Sequence, residues 1–277
     1  MGFRVRALPL VALVAALNGC GDHGVDTTAP KVPLAYTRFV NAVADTGGTD
    51  WRFIDQIENS PVAFGLTFRS FTPYQATAPG ARLLRVFPAS TDIDITSRRL
   101  IDTVLTLEAD RYYTIVHIGY ADAVRSPRHR ILLVPDTIPS PPAGSVAIRA
   151  LHLATGIAAV DVFASDAAST TPLPETPTFT GAQFASATRY SSVPAGSLKI
   201  RVAATGLRSP LLANADAPAG VAANAVQQLT AIGGSNISGS VISALFLPSS
   251  VPGSSAPQTP AAFASPSILY LIDRHPR

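Results

Sequence analysis

The segment YSSVPAGSLKIRV, Tyr190 to Val202, decides the fold, because Tyr74 to Val86 already carries nearly the same pattern as YQATAPGARLLRV. Tyr74 and Tyr190, Gly80 and Gly196, Arg85 and Arg201, and Val86 and Val202 fall in register at an offset of 116 residues. Self-similarity at a fixed spacing marks a duplicated structural unit. Upstream, RFVNAV at 38–43 matches RALHLA at 149–154, which pairs Arg38 with Arg149. Asp50-Trp51-Arg52-Phe53 likewise matches Asp161-Val162-Phe163-Ala164, both at an offset of 111. The second copy therefore carries five extra residues in its Pro/Thr-rich stretch at 169–180. Downstream, ILLVPD at 131–136 resembles ILYLID at 268–273, after a longer insertion in the second copy. IPSPPAGS at 138–145 is a proline-rich linker between the copies.

Within VPAGSLKIRV, Pro194 and Gly196 have turn chemistry. Leu198, Ile200 and Val202 then alternate with Lys199 and Arg201, which is the period of a half-buried strand. The first copy keeps Leu84 and Val86 apolar and Arg85 outward, with Arg82 where Leu198 stands. TIVHI at 114–118 is a further β-branched run. About seven such runs per copy, split by Pro/Gly/Asn/Asp clusters, predict an all-β chain of two tandem antiparallel β-sandwich domains, immunoglobulin-like or transthyretin-like. Nothing resembling a crossover helix recurs, so parallel sheets are not expected. The expected boundaries are 37–139 for repeat 1 and 145–277 for repeat 2, the latter with a Ser/Gly/Pro/Ala-rich insertion at 233–267 whose apolar run 241–247 is a candidate strand or edge addition.

The N-terminus reads as an export signal. Arg4 and Arg6 precede an apolar run from Leu8 to Leu17 that is too short to span a bilayer but is the length of a signal-peptide core. Leu17, Gly19 and Cys20 resemble a bacterial lipobox, which implies a signal peptide of residues 1–19 and lipidation of Cys20. Residues 20–36 then form the lipidated cysteine and a tether on the order of 20 Å long as a coil. Gly21 rather than Asp follows the cysteine, which favours an outer-membrane lipoprotein, on the periplasmic face or the cell surface.

Removing residues 1–19 takes two of the 21 basic residues and leaves 19 against 18 acidic ones, so the mature chain is almost neutral. That balance argues against nucleic acid as a partner. Cys20 is the only cysteine, so its lipidation leaves no disulfide and no thiolate metal site.

Active-site patterns are sparse. His23, His117, His129, His152 and His275 show no metal-ligand spacing, and no metal or cofactor is predicted. Asp92 and Asp94 would share one face of a strand, without the further oxygen donors calcium requires. The sequence has no Gly-x-Ser-x-Gly elbow, phosphate loop or dinucleotide fingerprint. Asp50 and Asp161 recur and could be a facing carboxylate pair, but an aspartate heading a strand more commonly holds a turn. Arg125, Arg128, His129 and Arg130 form a compact basic loop, a candidate binding surface for anionic envelope components. Trp51, Tyr74 and Tyr190 are the aromatics that would matter to a glycan if exposed, and core residues otherwise.

An Arg-led strand, then Val-Asp-Val-Phe, then Tyr-x-x-x-Pro-x-Gly with an Arg-Val strand, then Tyr113-Thr114 with a following Gly, resembles the domain-of-unknown-function 4397 family. The first copy departs at Asp50-Trp51-Arg52-Phe53 and at Ala109-Asp110, and the second has Leu229-Thr230 in place of Tyr113-Thr114. The resemblance implies tandem secreted or lipid-anchored β domains and no reaction. The expectation is a non-enzymatic envelope lipoprotein that presents a binding or scaffold surface to proteins or glycans. The alternative is an envelope hydrolase acting on polysaccharide or peptide.

Overall fold

The computed structural model describes residues 32–55, 62–168 and 173–276. The signal segment, Cys20 and most of the tether lie outside the described residues. Residues from Pro33 onward form one compact unit.

The first half contains β1 (Ala35–Asn41), β2 (Thr49–Phe53), β3 (Ala63–Leu66), β4 (Ser70–Phe71), β5 (Gln75–Thr77), β6 (Gly80–Pro88), β7 (Ile101–Leu107), β8 (Tyr112–Ile118) and β9 (Arg130–Pro135). The second contains β10 (Ser145–His152), β11 (Val160–Asp166), β12 (Phe179–Ala182), β13 (Ser186–Ala187), β14 (Ser191–Pro194), β15 (Leu198–Ala204), β16 (Leu211–Asp216), β17 (Val241–Leu247) and β18 (Ser267–Arg274). Each half is a two-sheet sandwich with the same strand order. The sheets are β4-β1-β8-β9 with β3-β2-β6-β7, and β13-β10-β17-β18 with β12-β11-β15-β16. The all-β, tandem-sandwich expectation holds.

One feature of the pairing differs from expectation. β1 pairs β8 in parallel and β10 pairs β17 in parallel, inside otherwise antiparallel sheets. No crossover helix is needed, because the chain leaves β1 for the opposite sheet and returns to β8 through it.

Three cores stack the four sheets as layers. Phe39, Trp51, Phe53, Leu84, Val86 and Ile115 fill the first sandwich. Val146, Ile148, Val160, Val162, Ile200 and Val202 fill the second. Between them, Val40, Val116, Ile118, Leu151, Leu153, Leu245 and Leu247 join the β1-β8 sheet to the β10-β17 sheet. The two inner sheets are thus buried on both faces. This explains why β8 and β17 read as continuous apolar runs rather than alternating ones.

That same fact relocates the second-copy insertion. Val241–Leu247 is the counterpart of β8 and a central strand, so 233–267 is not one loop. The extra chain lies in two excursions, 217–240 before β17 and 248–266 after it. The counterpart of Thr114 is Ser243, since Arg38 registers with Thr114 and Arg149 with Ser243. Leu229-Thr230 instead lies in the exposed first excursion.

The second excursion is clamped to the first half by Arg69. Its guanidinium donates to the carbonyls of Pro248 (2.5 Å), Ala262 (3.0 Å) and Ser265 (2.5 Å). It also lies over the rings of Phe68 and Phe263. Burial lowers the Arg69 pKa to about 10. Hydrogen bonds from a charged group are the stronger kind, so Arg69→Ala is expected to free this excursion. Chymotryptic cleavage after Phe263, followed by mass spectrometry, should accelerate roughly tenfold or more. An unchanged cleavage rate would show that apolar packing around Val251 holds the segment instead.

Candidate functional site

Two of the recurring charged pairs, Arg38 with Arg149 and Asp136 with Asp273, converge where the inner sheets meet. Arg38 on β1 and Arg149 on β10 point from facing sheets into one buried layer and are each 2% exposed. Each takes its carboxylate from the other half. Arg38 Nη2 lies 2.5 Å from Asp273 Oδ1 at the end of β18, and Arg149 Nη2 lies 2.5 Å from Asp136 Oδ1 just past β9. Arg38 is also 4.0 Å from Asp136.

The second carboxylate oxygens are also taken. Asp136 Oδ2 accepts from the Tyr74 hydroxyl at 2.6 Å and from Thr114 Oγ1 at 2.7 Å. Asp273 Oδ2 accepts from the Tyr190 hydroxyl at 2.9 Å and from Ser243 Oγ at 2.7 Å. Arg38 Nε donates to Thr114 and Arg149 Nε donates to Ser243, which closes both halves of the network. Each guanidinium lies over a tyrosine ring, Arg38 on Tyr74 and Arg149 on Tyr190. Burial, with the neighbouring carboxylates, raises both phenol pKa values. For Arg149, burial is the largest single influence and opposes the charge, but Asp136, Tyr190 and Asp273 together outweigh it and the net shift is upward.

A buried charge is tolerated only when paired and hydrogen-bonded. Here every carboxylate oxygen of Asp136 and Asp273 is engaged within the network.

Asp50 and Asp161 lie elsewhere, on the outward faces of the two outermost sheets, with two further sheets between them. Asp50 accepts from Gly65 N, and Asp161 accepts from Gly181 N and Gly206 N. Asp50 ties β2 to β3, and Asp161 ties β11 to β12 and to the turn after β15, so the two serve separate sandwiches and cannot face one another across a substrate. Gly80 has a positive φ of 105°, whereas Gly196 does not need one. Arg85 pairs with Asp102 on the surface, and Arg201 meets Ser165.

Trp51, Tyr74 and Tyr190 offer no stacking platform. Trp51 is wholly buried, and the two tyrosine hydroxyls end in the network. Asp92 and Asp94 are not on a strand face: Asp92 caps the short helix Ile93–Thr96 by accepting from Asp94 N. Among the described residues no cluster of three or more His, Cys, Asp or Glu side chains could hold a metal ion.

The basic loop is partly neutralised, since Arg125 pairs with Asp122 at 3.6 Å. His129 turns inward, its Nδ1 3.1 Å from Nε2 of His117. His117 is fully buried against the edge of Trp51, and its own Nδ1 has no partner among the described residues. Burial, reinforced by His129, lowers the His117 pKa to about 3. Burial also lowers His129 and His152.

A folded pKa below the unfolded one means the unfolded chain binds the proton first. Stability is therefore present above about pH 6.5 and falls as pH drops toward 3. From His117 alone the loss at pH 4.5 is expected to be about 2–3 kcal/mol. Urea melts at pH 7 and 4.5 should show it, and His117→Leu should remove much of the difference. Equal pH dependence in that variant would assign the effect to other groups.

Beside the network opens a cleft of about 580 Å³ between β9 and the segment linking β13 to β14. It is lined by Leu132, Leu133, Val134, Pro135 and Pro139 on one side and by Ala187, Thr188, Arg189 and Tyr190 on the other, with Arg149 at its floor. Sequence reading identified Arg38, Arg149, Tyr74 and Tyr190. It missed Asp136, Asp273, Thr114 and Ser243, although the terminal aspartates of ILLVPD and ILYLID were the visible signal.

No curated protein sequence matches the chain. A solved structure described as "Alpha-glucan binding by a streptococcal virulence factor" is 10% identical, aligning 76% of this chain and 92% of that chain at a TM-score of 0.22. Likeness at that level carries no argument about fold or ligand. Residues 35–163, which run from β1 into β11, match the family described as Domain of unknown function (DUF4397).

Proposed function

We propose that the chain is a non-enzymatic lipoprotein of the bacterial cell envelope, anchored through Cys20, that presents a rigid binding surface to an envelope protein or glycan. The observation that supports this reading is the closed polar network between the sandwiches. It commits Arg38, Arg149, Tyr74, Tyr190, Asp136 and Asp273 to holding two domains in one orientation. Enzymes keep titratable groups poised beside a substrate, whereas here they are bonded to one another. Sandwich edges and end loops on such a fixed body offer recognition surface without a reacting group. The outer membrane, on its periplasmic face or at the cell surface, is the proposed location.

The test is capture from detergent-solubilised envelope with the full chain immobilised, identifying retained proteins and glycans. One saturable partner is expected, retained by the wild type and lost when the sandwiches are uncoupled. Retention of nothing at low salt, together with turnover of an envelope polymer, would overturn the reading in favour of a hydrolase.

A further inference from the structure

We infer that the cleft beside β9 is a strand-addition site for an extended, acidic segment of a partner protein. This deepens the binding reading above and rests on it.

Three observations converge there. First, β9 is the outer strand of its sheet. Thr114 registers with Val134, Val116 with Leu132 and Ile118 with Arg130, and Asp136 N donates to Tyr112 O. In an antiparallel ladder the bonded pairs alternate. Arg130, Leu132 and Val134 therefore face β8, and the N–H groups of Ile131 and Leu133 face outward. Neither outward group has a protein partner among the described residues. Pro135, which lacks an N–H, falls on the outward parity, where a proline costs the sheet nothing.

Second, this edge runs along an apolar trough. Ala187 faces Leu151 across β13 and β10, and Phe71 faces Val40 at the equivalent place in the first half. The small side chain at 187 leaves open the space that a phenyl ring would take. Third, Arg189 at the rim is exposed; its carbonyl accepts from Thr188 Oγ1, but its guanidinium has no hydrogen-bond or ion-pair partner among the described residues. At the equivalent position the first half has Pro73.

Unpaired main-chain edge, apolar trough and free cation together fit a peptide in strand conformation. Its backbone would extend the β9 sheet, its alternate apolar side chains would enter the trough, and its carboxylate would meet Arg189. A glycan would use neither the edge amides in register nor the apolar wall.

The probe is a pair of fluorescein-labelled ten-residue peptides of alternating Val and Thr, one ending in two Glu and the other in two Lys, titrated with the full chain by fluorescence polarisation. Saturable binding of the Glu peptide is expected, with the Lys peptide roughly five- to tenfold weaker. Arg189→Glu should reverse that preference, a readout that loss of fold cannot produce. Ala187→Phe, with its thermal midpoint checked against wild type, should weaken binding at least tenfold. Equal affinity for the two peptides, absence of binding, or Ala187→Phe binding like wild type would overturn the assignment. A partner captured from envelope that is retained equally by both variants would leave the scaffold reading standing and remove this site from it.

Discussion

Asp136→Ala is expected to be among the most damaging single substitutions in the chain, costing about 3–5 kcal/mol of stability. Its carboxylate holds Arg149 from the opposite sandwich together with Tyr74 and Thr114 of its own. Removing it leaves a guanidinium that is 2% exposed without its counter-charge, and takes the acceptor from the Tyr74 and Thr114 hydroxyls. The effect should be an earlier urea midpoint with an unchanged slope, because the surface exposed on unfolding stays the same. A paired buried charge does not in itself add much net stability. The proposed contribution of the network is to fix how the two inner sheets face each other, because both of its ion pairs join one half to the other. A loss below about 1 kcal/mol would mean water reaches the site and solvates Arg149.

Trp51→Ala is expected to cost a similar amount, about 3–5 kcal/mol, through a cavity rather than a charge. The indole is fully buried, meets Phe39 and His117 edge-on, and donates Nε1–H to Thr49 Oγ1 at 2.9 Å. If Trp51 were a sugar platform, its loss would abolish binding and leave the thermal midpoint in place. Large destabilisation read by circular dichroism is the expected result, and a folded variant of near-native midpoint would contradict it.

The duplication and the strand periods were legible because in β6 and β15 the buried Leu84, Val86, Ile200 and Val202 alternate with half-buried Leu83, Arg85, Lys199 and Arg201. The inner strands were harder to place. β17 is buried on both faces and so has no alternation, and the excursion at 217–240 separates it from the strand before it. Matching Tyr113-Thr114 by order in the chain therefore selected Leu229-Thr230 instead of Ile242-Ser243. The aspartates ending β9 and β18 were visible as a repeated letter. Their partners were not, because each bonds to an arginine in the other half, at sequence separations of 13 and 235 residues. No local pattern encodes a contact made between duplicated units. For the same reason the cleft was invisible: its two walls, β9 and the segment after β13, come from different halves of the chain.

The central claim is that the two sandwiches behave as one body, and Trp51 allows a direct test. It is the only tryptophan in the chain and sits in the core of the first half, while Asp273 lies on β18 of the second. The measurement is urea unfolding of the full chain and of Asp273→Asn, each followed by Trp51 fluorescence and by far-ultraviolet circular dichroism. Coincident curves are predicted for the wild type, and in the variant the Trp51 midpoint should fall although the substitution lies in the other half. A Trp51 midpoint that stays put while the circular dichroism curve splits in two would show independently folded domains and contradict the account.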